Sequence, residues 1–200
     1  SYALHTYTAP GTYTVSMSGF VPGGMAAGMA MNDRSQNTVK ATDCLKVMQV
    51  TQWGTNTWTN IQNIFMGCNN LTFTASDMPI SGSITNWGSA FQFCTSLTSF
   101  PAFDFTGAIN VNFTWFGCTA LTSFPSISIP NVQTLNSTWR SCTSLTTFPA
   151  LSGPAVTSMT RTFLSCTGLT SFPSGWSTPN VVTLTTTWQL CTSLTSFPLL

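Results

Sequence analysis

CTSLTSFP, residues 94–101, decides the fold because the chain repeats it: CTALTSFP at 118–125, CTSLTTFP at 142–149, CTGLTSFP at 166–173 and CTSLTSFP at 191–198. Its cysteines, Cys94, Cys118, Cys142, Cys166 and Cys191, are evenly spaced but for one added position in the last interval. A fixed period of this kind predicts a solenoid, in which each repeat is one supersecondary unit that buries its apolar face only against its neighbours. The period extends upstream, since Cys44 and Cys68 continue the column, with two added positions between Cys68 and Cys94. All seven cysteines thus belong to one column, and residues 44–200 read as one array of about six repeats, the last incomplete. The two earliest repeats keep fewer of the consensus residues, as terminal repeats do.

Counting from each cysteine, leucine holds position +3 (Leu97, Leu121, Leu145, Leu169, Leu194) and phenylalanine +6 (Phe100, Phe124, Phe148, Phe172, Phe197), with proline at +7. This half predicts one short strand of a parallel sheet, closed by a proline that cannot donate to a central ladder. Ahead of the cysteine, position −3 is aromatic throughout (Phe65, Phe91, Trp115, Trp139, Phe163, Trp188), position −7 is apolar, and −10 mostly so. Offsets of 0, 3, 7 and 10 mark one face of a helix. Pro130-Asn131 and Pro179-Asn180 sit just upstream, where asparagine is a favoured N-cap. Such short, threonine-rich helices would hold only by stacking. The expected fold class is an α/β repeat solenoid, leucine-rich-repeat-like, with one short parallel strand and one short helix per ~24 residues.

Residues 1–43 differ. LHTYTAPGTYTVSMSGFV alternates Tyr13, Val15 and Met17 after Pro10-Gly11, which predicts a hairpin or small sheet serving as an N-terminal β cap on the open end of the array. The chain opens on Ser1 and stops at Leu200, soon after its final repeat motif, so both ends read as cuts in a longer polypeptide or a processed product.

Charged residues make up only 4% of the chain, glutamate is absent and the net charge is +1. That balance excludes the basic stripe of a nucleic-acid binder and gives no attraction to anionic lipid. Near-zero net charge also removes a brake on self-association. No apolar run is long enough to span a bilayer; GFVPGGMAAGMAM at 19–31 comes nearest and is broken by glycine and proline. The glycines at 23–28 lack the lysine and the strand–helix setting of a phosphate loop.

One histidine (His5) and four scattered aspartates supply no acid–base pair, so the expectation is a non-enzyme with no cofactor. Asp77 and Asp104 read as solvated turn residues before metal contacts. Single cysteines, one to a repeat, are not the paired ligands of a zinc site. Stacked at about 4.8 Å, their Cβ vectors run parallel rather than converging, so buried reduced thiols are expected instead of disulfides.

Between Leu +3 and Phe +6 lie two small hydroxyl residues in every repeat: Thr98-Ser99, Thr122-Ser123, Thr146-Thr147, Thr170-Ser171 and Thr195-Ser196. Stacking turns them into ladders, which are either solvating groups of high β-propensity or a flat recognition surface for a glycan or another sheet; a threonine ladder that orders water or binds ice is a third reading. Three N-x-S/T sequons occur, at Asn70, Asn112 and Asn136.

The pattern F/W-x-x-C-x-x-L-x-x-F-P, preceded by N-V-x-x-L/M-x-x-x-F/W, resembles the BspA-like leucine-rich repeats of bacterial surface proteins. NVQTLNSTWRSCTSLTTFP (131–149) and NIQNIFMGCNNLTF (60–73) carry it, and the likeness covers roughly 44–200. HTYTAPGTYTV (5–15) resembles a β segment of bacteriophage tail fibres and bacterial surface proteins. The resemblance implies an extracellular, cell-surface or virion-surface protein active in adhesion or receptor binding without a cofactor. Its partner would be a cell-surface receptor or glycan, or copies of itself in a structural fibre or filament, with no nucleic acid and no membrane insertion.

Overall fold

The computed structural model describes residues 44, 47–53, 58–75, 77 and 83–197. The cap expected over 1–43 lies outside them.

Ahead of each cysteine the chain forms a run of turns, and among the described residues there is no α-helix. This corrects the short helix expected there. The N–H groups at −4, −2 and 0 each close on the carbonyl three residues back, as in Ala90 to Trp87, Gln92 to Ser89 and Cys94 to Phe91 (2.9–3.2 Å). The intervening N–H groups, at −7, −5, −3 and −1, turn sideways to the next repeat. Trp87, Ser89, Phe91 and Phe93 donate to the carbonyls of Asn110, Asn112, Thr114 and Phe116 at 2.7–3.0 Å, and the scheme recurs from the Cys68 repeat to the Cys166 repeat, whose acceptors lie in the Cys191 repeat. Only the Val111 N–H departs from it. There the Asn112 carboxamide steps in, its Oδ1 accepting from the Asn136 N–H at 3.0 Å and the Thr134 hydroxyl at 2.9 Å.

A helix would have kept all these donors to itself. Serine, threonine and asparagine are poor helix formers, and single segments this short are marginal in water. Lateral pairing satisfies the same groups and binds one repeat to the next. The turn run takes left-handed backbone at −5 and −1 of each repeat from Cys68 to Cys191: Asn63 and Gly67, Ser89 and Phe93, Phe113 and Gly117, Ser137 and Ser141, Arg161 and Ser165, Thr186 and Leu190 (φ 52° to 78°). Positive φ at the second central residue is the geometry of a type II turn.

The side chains at −10, −7, −3 and 0 do point inward, because two linked turns advance the chain by the same short steps as a helix face. Trp87, Trp115 and Trp139 are fully buried, as are Cys94, Cys118, Cys142 and Cys166. Between repeats the rings stack in parallel: Trp115 on Trp139 (5.4 Å, 5°), Trp139 on Phe163 (5.5 Å, 10°), and, at +6, Phe100 on Phe124 (5.5 Å, 7°) and Phe124 on Phe148 (5.7 Å, 10°). Within a repeat the two columns meet edge to face, Trp115 with Phe124 and Trp139 with Phe148, both at 4.7 Å. Both arrangements are favourable for ring quadrupoles.

The strands are short and parallel. β1 (Gln49–Val50) pairs with β2 (Thr72–Phe73), on the flank where a strand was expected. β3 (Ile127–Ser128) pairs with β4 (Leu151–Ser152), and both follow the proline that was expected to end the strand. The proline withholds one donor, yet the chain resumes an extended course beyond it. Phe103 and Phe105, Ile127 and Ile129 alternate into the core there with period two. Thr147 bridges to Ser171 in the common register, whereas Ser152 bridges to Ser177, one position further on. The extra residue of the last cysteine interval is therefore taken up between 171 and 177, away from the turns. No helix among the described residues is long and apolar enough to cross a membrane.

Gly117 is the turn position least open to change. Its φ is +76°, and a Cβ there would run into the Phe93 ring, which lies across it. Gly117→Ala is expected to lower stability by about 1–3 kcal/mol in urea denaturation, combining left-handed strain with the displaced ring. Ser141→Gly, the same position one repeat later (φ 60°), should instead fall within about 1 kcal/mol of the parent.

Candidate functional site

The predicted hydroxyl ladder lies on the surface. Thr98, Ser99, Thr122, Ser123, Thr146, Thr147, Thr170, Thr195 and Ser196 are exposed, and Ser171 is half-buried. Its donors, however, are partly engaged along the array. Thr122 sends both its N–H (3.0 Å) and its hydroxyl (3.1 Å) to the Thr98 carbonyl. Thr170 does the same to Thr146, and Thr195 to Thr170. These +4 hydroxyls offer an incoming ligand lone pairs and a methyl group rather than a donor. The +5 residues, Ser99, Ser123, Thr147, Ser171 and Ser196, are the freer half of the face. Thr98 and Ser99 also border a shallow depression with Thr72, Phe73, Leu97 and Pro101, beside the irregular interval between Cys68 and Cys94.

The six cysteines from Cys68 onward are free thiols. Each thiol from Cys94 onward donates to the carbonyl at −3 of the preceding repeat: Cys94 to Phe65, Cys118 to Phe91, Cys142 to Trp115, Cys166 to Trp139 and Cys191 to Phe163 (3.0–3.2 Å). The same carbonyl already holds the N–H of its own repeat's cysteine, so each thiol fills the second lone pair. Burial pushes Cys68 and Cys118 up to about 12, and raises Cys94, Cys142 and Cys166 as well, with neighbouring thiols adding to the rise at Cys94, Cys142 and Cys166. A thiol held protonated is neither nucleophile nor metal ligand. Among the described residues no group of three or more His, Cys, Asp or Glu is placed to hold a metal ion.

A second buried ladder runs at −4. Thr162 and Thr187 donate to the −7 carbonyls of the repeat before, Leu135 and Met159, at 2.7 Å; Thr114 shares its hydroxyl between Trp87 of the repeat before (3.0 Å) and Val111 of its own (2.7 Å), and Thr138 is buried without a partner. The two described aspartates have backbone duties. Asp77 accepts the Trp53 N–H with both oxygens at 3.0 Å, and Asp104 accepts the Thr106 N–H at 2.9 Å.

The outer rim of the turn run, hereafter the ridge, carries the rest of the surface chemistry. Asn60, Asn86 and Asn110 stack at −8, with Asn86 donating to Gln62 and Asn110 to Asn86 at 3.0 Å. In the middle of the ridge Phe93 and Phe113 pack against Phe116, and the Arg140 guanidinium lies over the Phe116 ring. Reading the columns that agree passes over this group. Its signal lies in the departures: aromatic side chains at −1, −5 and −2, where most other repeats place small or polar residues.

Comparison of the chain with protein-family models, with curated proteins and with solved structures returns no match.

Proposed function

We propose that this chain is a non-enzymatic recognition module: a leucine-rich-repeat-like solenoid, similar to the BspA-like surface repeats, that binds a receptor or glycan from a cell or virion surface. The lateral hydrogen-bond register carries this reading. It sets equivalent residues of successive repeats side by side, so that one weak contact is offered several times over and gains by multivalency. The exposed +4 and +5 hydroxyl face is one surface so multiplied. The low charge and the scarcity of titratable groups support binding over catalysis.

A glycan and cell-surface binding screen tests the reading, using the parent and a variant with Thr98, Thr122, Thr146 and Thr170 changed to arginine. Loss of binding in the variant is the expected result for the hydroxyl face. Unaltered binding moves the site elsewhere on the array, and a blank screen with folded parent overturns the recognition reading.

One observation favours a structural, self-associating role as the second reading. In the last repeat the inner column is partly open to solvent: Leu184 is 39% and Phe197 66% exposed. Apolar surface of this kind, on a chain of net charge +1, invites contact with further copies. Sedimentation velocity separates the two readings. A monomer that persists at high concentration excludes assembly, and filaments or rings favour it.

A further inference from the structure

We propose that the middle of the ridge, centred on Arg140, binds an acidic saccharide. The proposal rests on the recognition reading and names a ligand class and a place for it.

Four half-buried side chains from three consecutive repeats build the site. Phe116 is the floor. Phe93 lies against it at 4.8 Å (51°), Phe113 at 6.4 Å (54°), and the Arg140 guanidinium carbon stands 4.9 Å from its ring centre. Phe93 reaches Phe116 by crossing Gly117, where the missing side chain lets the ring pass. The ring cluster is thus held by the backbone and not by chance contact.

Among the described residues the cation has no anionic partner. Arg140 and Arg161 are the only charged side chains after residue 104, and both stand on the ridge, at −2 and −5. The two described aspartates, Asp77 and Asp104, serve backbone N–H groups on another flank. The Arg140 Nε is buried without a partner, so contact with a ligand falls to the other end of the guanidinium, the side chain as a whole being half-buried. On the same two repeats, at −6, Asn112 spends its Oδ1 on Thr134 and Asn136, and Asn136 spends its Oδ1 on the Ser137 hydroxyl, which leaves both Nδ2 amides as donors.

Aromatic faces, a guanidinium and free amide donors together match one chemistry. A pyranose ring lays its C–H face on an aromatic ring. Its carboxylate takes the guanidinium as a two-pronged, charge-assisted partner. Its hydroxyls accept from the amides. A neutral sugar lacks the second contact and an acidic peptide lacks the first.

The test is calorimetric titration of the parent chain with sialyllactose and a hyaluronan hexasaccharide, against neutral chitohexaose and hexaglutamate. At least one acidic saccharide is expected to bind about ten-fold or more tightly than chitohexaose, and more weakly as salt rises. Arg140→Gln should remove most of that margin, Arg140→Lys should keep part of it, and Phe116→Leu should weaken binding several-fold with the charge intact. The lysine and leucine variants carry the test if Arg140→Gln fails to fold. Acidic-saccharide binding untouched by all three variants overturns the ridge assignment while leaving recognition in place. Equal affinity for hexaglutamate overturns the saccharide in favour of an acidic protein. Absence of any saccharide binding by folded parent overturns the proposal, and a blank result in the wider screen then removes the recognition reading too.

Discussion

Raising the pH above about 9 should unfold the array over a narrow range. The sign follows from proton uptake. An unfolded cysteine releases its proton near its ordinary value of 9.0, whereas Cys118 in the folded chain holds it up to about 12. Stability from this thiol is complete below pH 9 and is lost as pH climbs towards 12, at about 1.4 kcal/mol per pH unit. Cys94, Cys142 and Cys166 are shifted the same way by the same burial, so their losses add. The loss at Cys118 alone is a large part of the whole stability of an ordinary domain, about 5–15 kcal/mol, and the other buried thiols act in the same direction. The three tyrosines, Tyr2, Tyr7 and Tyr13, all precede the array, so no phenol competes for the assignment within 44–200. Circular dichroism against pH, at fixed low urea, checks it. Replacing Cys118 and Cys142 with alanine should flatten the alkaline limb even while lowering stability at neutral pH. A curve unchanged in shape would show that the thiols do not govern it.

Trp139→Ala is expected to be the most damaging single substitution, lowering stability by about 3–5 kcal/mol. Trp139 is fully buried, lies between the Trp115 and Phe163 rings, and meets Phe124 and Phe148 edge-on. Its removal opens a hole shared by three repeats, so the array should split into two halves that unfold separately. Trp139→Phe should be mild by comparison. Phenylalanine already fills this column at 91 and 163, and the Trp139 indole N–H has no partner to lose. Trp188→Ala, in the half-buried last repeat, should cost less than half as much as Trp139→Ala. Urea denaturation of the three variants, read by far-UV signal, measures the order.

The inward columns were legible because burial depends on spacing, and the residues at −10, −7, −3 and 0 recur at spacing that a helix face and a chain of turns share. Backbone conformation was not legible for that same reason. Nothing in Phe93, Phe113 or Arg161 announces a left-handed residue, since each sits in a turn whose N–H pairs with a carbonyl one repeat away. The strand beyond the proline is hidden because Pro125 and Pro149 look like endings, while Ile127 and Ile129 resume the alternation soon after Pro125. Leucine and phenylalanine on either side turn the hydroxyl residues outward, but the partners of those hydroxyls are invisible in one dimension. Only stacking shows that Thr122 and Thr170 spend their donors on the repeat before.

The uneven intervals have a consequence for how such a chain changes over time. The added residue between Cys166 and Cys191 is absorbed between Ser171 and Ser177, and the turns on either side of it keep their lateral bonds unaltered. That flank behaves as an expansion joint. Foreign loops spliced at the exposed Ser174-Gly175, between the Phe172 and Trp176 rings that pack into the core, would leave the turns in register, whereas a single residue inserted between −7 and 0 would shift every donor out of phase with its acceptor. Diversity of length, and cargo grafted by design, therefore belong on one side of this molecule only.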